Sequence, residues 1–96
     1  MLIVRVIGTT VSTIKDEKLK GKKLLVVQPT DESGKASGKP FVAVDTVDAG
    51  VGDLVLTAAG SSARQTTFTK DAPVDAVIMA VIDSLEVNGK VTFRKS

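Results

Sequence analysis

Fifteen valines, set in short apolar runs with turn residues between them, dominate this chain. A β-branched side chain loses rotamer freedom on a helix and packs well on a pleated surface, so such runs favour strands. The runs are Leu2 to Val11, Lys23 to Gln28, Phe41 to Val47, Leu54 to Leu56 and Val74 to Val87, with Val91-Thr92-Phe93 after the last. Short runs broken by turn signals are the pattern of an all-β sandwich or barrel. The 96 residues supply one domain, spanning 1–96, because either side of any internal cut is too poor in apolar residues for its own core.

The connections carry their own signals. The segment 15–23 is polar with Gly21 near its end, and 29–40 holds Pro29, Pro40, Gly34 and Gly38, the composition of an exposed loop or open hairpin tip. The run Val74 to Leu85 fits two periods. Val74, Val77, Ile78, Val81, Ile82 and Leu85 fall at helical spacing. Most of them are β-branched, however, and Asn88-Gly89 follows, the pair that best populates a two-residue hairpin turn with positive φ at both positions. The segment is therefore read as one long strand turning at 88–89, with Val87 opposite Lys90 and Asp83 opposite Arg94. Gly60 to Gln65 offers a serine cap and a few helix formers, enough for one short helix. The expected fold is all-β: a small five-stranded OB-like barrel with one short helix and a C-terminal β-hairpin.

Residue types exclude much chemistry. The chain has no histidine and no cysteine. The usual triad base, the commonest metal ligand, thiolate sites and disulfides are all absent. Ser61 and Ser62 follow Gly60, but Arg64 stands where a nucleophile elbow needs glycine; composition leaves open only a Ser–Lys pair. Gly34 to Lys39 is one residue short of a phosphate loop, and Pro40 stands where that motif needs Ser or Thr. Gly50-Val51-Gly52 lacks the third glycine of a dinucleotide fingerprint. Turns with positive φ are the simpler reading of Gly34, Gly38, Gly50 and Gly52. Asp31, Glu32, Asp45, Asp48 and Asp53 lack calcium-loop spacing, and Asp45 and Asp48 are read as acceptors for backbone N–H groups in turns. No catalytic residue, cofactor or metal is therefore expected.

Thirteen basic against eleven acidic residues leave a charge of +2, too thin to attract nucleic acid alone. Lys15, Lys18, Lys20, Lys22 and Lys23 are diluted by Asp16 and Glu17 and read as a solvated loop. Only Phe41, Phe68 and Phe93 are aromatic, and some of them are needed in the core, which argues against base stacking on an OB surface. No apolar stretch reaches about 18 residues, so a soluble intracellular protein is expected, without a membrane partner.

Asp45-Thr46-Val47-Asp48-Ala49-Gly50-Val51-Gly52-Asp53-Leu54-Val55-Leu56 resembles a D-T/N-x-x-A-G-x-G-[DE]-x-V-L segment, and Gly60-Ser61-Ser62-Ala63-Arg64 a G-S-[SA]-A-R motif. Pro73-Val74-Asp75-Ala76 and Ile82-Asp83 are similar to P-[VI]-D-A and I-[VI]-D elements. Val6-Ile7-Gly8-Thr9 and Leu19 to Val27 also fit. In this order they resemble the pentameric vertex proteins of bacterial microcompartments, the EutN/CcmL family, from about residue 2 to about residue 94. The resemblance implies an OB-like barrel and a non-catalytic structural role. It implies a homopentamer closing the fivefold vertices of a polyhedral cytoplasmic shell, with hexameric shell proteins as partners in the facets. It places Gly60, Ser61, Ser62, Ala63 and Arg64 at the subunit interface or pore, and marks Asp45, Thr46, Ala49, Gly50, Gly52, Asp75 and Asp83 as motif positions. The alternative is an OB-type module binding single-stranded nucleic acid.

Overall fold

The inward-facing valines pull the chain into a barrel. The computed structural model describes residues 1–10, 21–59 and 76–95. The strands are β1 (Leu2–Thr9), β2 (Lys23–Pro29), β3 (Phe41–Asp45), β4 (Leu54–Ala59), β5 (Ala76–Val81), β6 (Ser84–Val87) and β7 (Lys90–Arg94). Among the described residues there is no helix; the short helix expected over 60–65 lies outside them.

The first five strands close in the order β1-β2-β3-β5-β4 and back to β1, an OB-like barrel. Every pairing is antiparallel except β3 with β5. Alternation along the strands points Val4, Val6, Leu25, Val27, Ala43, Val55 and Ile78 into one core, with Phe41, Val47 and Val81 packed at its margin. Closure leaves no free edge among these five strands.

The loop between β2 and β3 is a hairpin tip, as its prolines and glycines imply. Asp31 folds it: Oδ1 accepts from Ser33 N (2.9 Å), Ser33 Oγ (2.7 Å) and Lys35 N (3.0 Å). Those bonds, the hydroxyl's foremost, hold the Asp31 carboxyl below its ordinary pKa. Gly34, at φ +86°, completes the turn. Gly38 corrects the positive-φ reading: a Cβ there would sit 3.0 Å from the Pro29 ring, so close approach, not backbone twist, favours glycine.

Over its described residues, 76–87, the run expected as one strand is two. β5 ends at Val81, and Ile82, itself buried, donates its N–H to Leu54 O (2.8 Å) before the chain leaves the barrel as β6. The break arises because β5 has to pair with β4 while β6 pairs with β7 in a separate two-stranded sheet. The turn at 88–89 is as expected, with Asn88 at φ 54° and Gly89 at φ 80°, and Val87 faces Lys90. The far end is shifted by one: Ser84, not Asp83, faces Arg94, because a bulge between Leu85 and Glu86 absorbs one residue.

Gly89→Val isolates the turn's contribution. Space is open around Gly89, so no clash interferes and the whole cost is the left-handed backbone. The variant should lose about 1–2 kcal/mol of stability. Urea melts at fixed protein concentration check this, and an unchanged midpoint would contradict it.

Candidate functional site

The segment 45–53 is where the barrel gathers its polar groups. Asp45 ends β3 with its carboxylate fully buried. Oδ1 accepts from Val47 N and Oδ2 from Ala49 N, each at 3.0 Å. Lys23, at the start of β2 and directly opposite Asp45, brings Nζ to 3.3 Å of Oδ2. Its ammonium also donates to Asp48 Oδ1 at 2.8 Å and Ala49 O at 3.3 Å.

Asp45 thus does what its turn reading proposed, whereas Asp48 does not. Asp48 sits at φ 58°, is exposed, and is held by Lys23. That hydrogen bond lowers the Asp48 pKa and is the foremost cause raising that of Lys23. With these signs, the Asp48 contribution is lost as pH falls through the acid range and the Lys23 contribution as pH rises above the ordinary lysine range. Both are small, because solvent screens the pair.

The rest of the segment is tied to the barrel. Thr46 Oγ1 donates to Ile78 O (2.8 Å), linking β3 to β5. Gly50 N donates to Asp53 Oδ2 (2.9 Å), a bond any backbone amide could make; its φ is not positive, which corrects the reading made for it. Gly52, at φ 96°, donates its N–H to Val6 O (2.8 Å). Its carbonyl accepts from Arg5 Nη1 at 2.9 Å, while Arg5 Nη2 reaches Gly34 O at 3.2 Å and the guanidinium lies 5.8 Å from the centre of the Phe93 ring. Arg5 therefore joins β1, both flanking turns and the C-terminal hairpin. Thr92 Oγ1 donating to Glu32 O (2.6 Å) and the Lys95–Asp53 pair (3.6 Å) add to that seam.

A shallow depression of about 230 Å³ lined by Gly21, Lys22, Lys23, Asp45, Thr46 and Asp48 opens beside this network. Lys23 bonds Asp45 and Asp48 within it, and Thr46 Oγ1 is taken by Ile78 O. Among the described residues no group of three metal-ligating side chains converges, and no helix is long and apolar enough to cross a membrane. The segment is a folded pin that fastens the end of β3 to its neighbours.

The family model described as "Ethanolamine utilisation protein EutN/carboxysome" matches residues 1–83. The chain belongs to the EutN/CcmL family. It is 44% identical over 95 residues to the carboxysome shell vertex protein CcmL of Synechococcus elongatus, covering 99% of this chain and 96% of that one. It is 38% identical to the bacterial microcompartment shell vertex protein EutN of Salmonella typhimurium, again with 99% and 96% covered. The solved GrpN pentameric microcompartment shell protein from Rhodospirillum rubrum superposes with a TM-score of 0.80 at 44% identity, covering 91% of this chain and 99% of that chain.

For this EutN/CcmL member the motif positions divide. Asp45, Thr46, Ala49, Gly50 and Gly52 come together in the pin. Asp83 stands apart, exposed at the break between β5 and β6, where its carbonyl accepts from Lys95 N (2.7 Å). Gly60, Ser61, Ser62, Ala63, Arg64 and Asp75 lie outside the described residues, as do Lys15, Lys18 and Lys20. Sequence reading missed Arg5 and the pairing role of Lys23. Their partners lie 47 and 25 residues away, and no local pattern signals such contacts.

Proposed function

We infer that this chain is a structural shell protein: five copies form a ring that closes the fivefold vertices of a polyhedral bacterial microcompartment. The match to shell vertex proteins along nearly the whole chain carries this reading, in sequence and in fold, with a pentameric protein among them. The chain acts as one domain over 1–96 in the cytoplasm, without catalysis or cofactor. Its neighbours in the shell are the hexameric proteins of the facets. Gly60, Ser61, Ser62, Ala63 and Arg64 lie at the subunit boundary or pore, where small residues admit close backbone approach and the Arg64 fork reaches a carboxylate or carbonyls.

Single-stranded nucleic-acid binding is the weaker reading. Such surfaces need free aromatic faces. Of the described aromatics, Phe41 packs against the core and Phe93 is taken by Arg5.

Native mass spectrometry tests the ring. Five chains of 10.0 kDa should appear at about 50 kDa and persist at micromolar concentration. A stable monomer or dimer there refutes the vertex role. Arg64→Ala should shift the ring towards monomer, with Arg64→Lys restoring it only in part because the planar fork is lost. Wild-type assembly by Arg64→Ala would remove Arg64 from the boundary.

A further inference from the structure

The C-terminal hairpin stands outside the core of the barrel. β6 and β7 form a two-stranded sheet of their own. From Asp83 to Lys95 no residue is buried, whereas every barrel strand has buried residues. Among the described residues, surface contacts hold the hairpin down. The Arg5 guanidinium lies 5.8 Å from the Phe93 ring centre, Thr92 Oγ1 donates to Glu32 O at 2.6 Å, and Lys95 pairs with Asp53 at 3.6 Å. A two-stranded hairpin is marginal in water by itself. Segments that bury little apolar surface open locally while the rest of the fold stays closed.

Asn88, the chain's only asparagine, sits at the exposed tip of that hairpin and is followed by Gly89. Glycine has no side chain to shield its amide nitrogen, and no heavy atom stands within 4 Å of where a Gly89 Cβ would be. Such a nitrogen can attack the preceding asparagine side chain. The docked turn holds the two apart. Its φ values, 54° and 80°, are those of a type I′ turn. The first central residue of that turn has ψ of about +30°. This sets the Gly89 nitrogen on the far side of the Cα–C bond from the Asn88 side chain.

We propose that Asn88 is a site of spontaneous deamidation, reached when the hairpin opens while the barrel stays closed. Once the turn is released, the deprotonated Gly89 nitrogen attacks Asn88 Cγ. A C–N bond forms, the Cγ–Nδ2 bond breaks, and Nδ2 departs as ammonia, taking up the proton that Gly89 gave to solvent. Water then opens the cyclic imide at either carbonyl, leaving a carboxylate and restoring an amide. No electrons are exchanged, and water is the co-reactant. Opening at one carbonyl gives aspartate, which tolerates the left-handed backbone of the turn. Opening at the other gives isoaspartate, whose extra backbone methylene does not fit a two-residue turn. Either product adds one negative charge at the hairpin tip, and the isoaspartate form also loses the clasp between Val87 and Lys90.

Incubation of the assembled protein at mildly alkaline pH tests the proposal. Intact mass reads the conversion of amide to acid, and peptide mapping places isoaspartate at position 88. An open state populated at roughly 0.1–10% should make the folded protein react roughly 10- to 1,000-fold more slowly than the chain unfolded in urea. Phe93→Leu should speed the reaction of the folded protein about fivefold, the population change expected from losing one cation–π contact. Ile78→Ala, in the barrel core, should leave the folded rate unchanged, because barrel unfolding is not on the route. Far-UV circular dichroism checks that each variant is folded. If Phe93→Leu does not fold, Thr92→Val, which removes the bond to Glu32 O, takes its place. A folded protein that keeps Asn88 intact while the unfolded chain converts overturns the site. Equal rates in the two states overturn the role given to the docked turn. A loosened hairpin that reacts no faster than wild type, or Ile78→Ala accelerating the reaction as much, overturns the route through hairpin opening.

Discussion

Asp45→Ala should lower the unfolding free energy by about 2–4 kcal/mol, since it removes two charge-assisted hydrogen bonds to backbone amides and leaves a buried one unpaired, while the half-exposed Lys23 keeps Asp48. The carboxylate is fully buried and holds Val47 N and Ala49 N at 3.0 Å each and Lys23 Nζ at 3.3 Å. Alanine strands the Ala49 amide in the interior with no acceptor, and an unpaired buried donor costs more than a hydrogen bond contributes. A domain of this size has only about 5–15 kcal/mol in all, so the variant should be partly unfolded on mild warming. Asp45→Asn should recover roughly half, since its one carbonyl oxygen can serve one of the two amides. Urea denaturation at fixed protein concentration reads both, because ring formation makes stability concentration-dependent. A loss below about 1 kcal/mol for Asp45→Ala would show that the pin is not what anchors the end of β3.

Ile78→Ala should cost about 2–5 kcal/mol, the range for emptying a buried aliphatic site. Ile78 is fully buried and stands where the barrel closes. The β3–β5 seam is short, with Val44 opposite Val77 and Asp45 opposite Ile78, reinforced by the Thr46 hydroxyl on the Ile78 carbonyl. Removing the side chain therefore empties a core site and loosens the shortest pairing in the barrel. Hydrogen exchange distinguishes the two effects. Amides of β3 and β5 should lose protection before those paired between β1 and β2, as local opening precedes global unfolding. Uniform loss across all five strands would contradict a special role for the seam.

Strand content was legible because its causes are local. Valine-rich alternation places β1 to β4 within a few residues, and Asn88-Gly89 identifies its own turn. The motif 45–53 was legible as turns with Asp45 and Asp48 as acceptors of backbone N–H groups, which Asp45 is and Asp48 is not. The errors share one cause. The division of 76–87 into β5 and β6, the bulge at Leu85/Glu86, and the attachment of Asp48 to Lys23 all depend on which strand lies alongside. Gly38 was misread because glycine answers crowding as well as twist, while at Gly50 neither a positive φ nor a crowded Cβ calls for glycine.

By itself, then, the amino-acid sequence determined the all-β class, the run of turns, the lack of histidine and cysteine chemistry, and the ordered motifs that mark the family. These follow from backbone preference and residue type, which act over a few positions. Tertiary structure alone decided the barrel order β1-β2-β3-β5-β4, the Arg5 seam, the Lys23–Asp45 contact and the part of the outer face left uncovered. Each joins groups tens of residues apart, and such contacts depend on the closure of the whole sheet. Alternation says that Val42 and Val44 point away from the core; only the closed barrel shows that Val42 stays exposed while Val44 is buried.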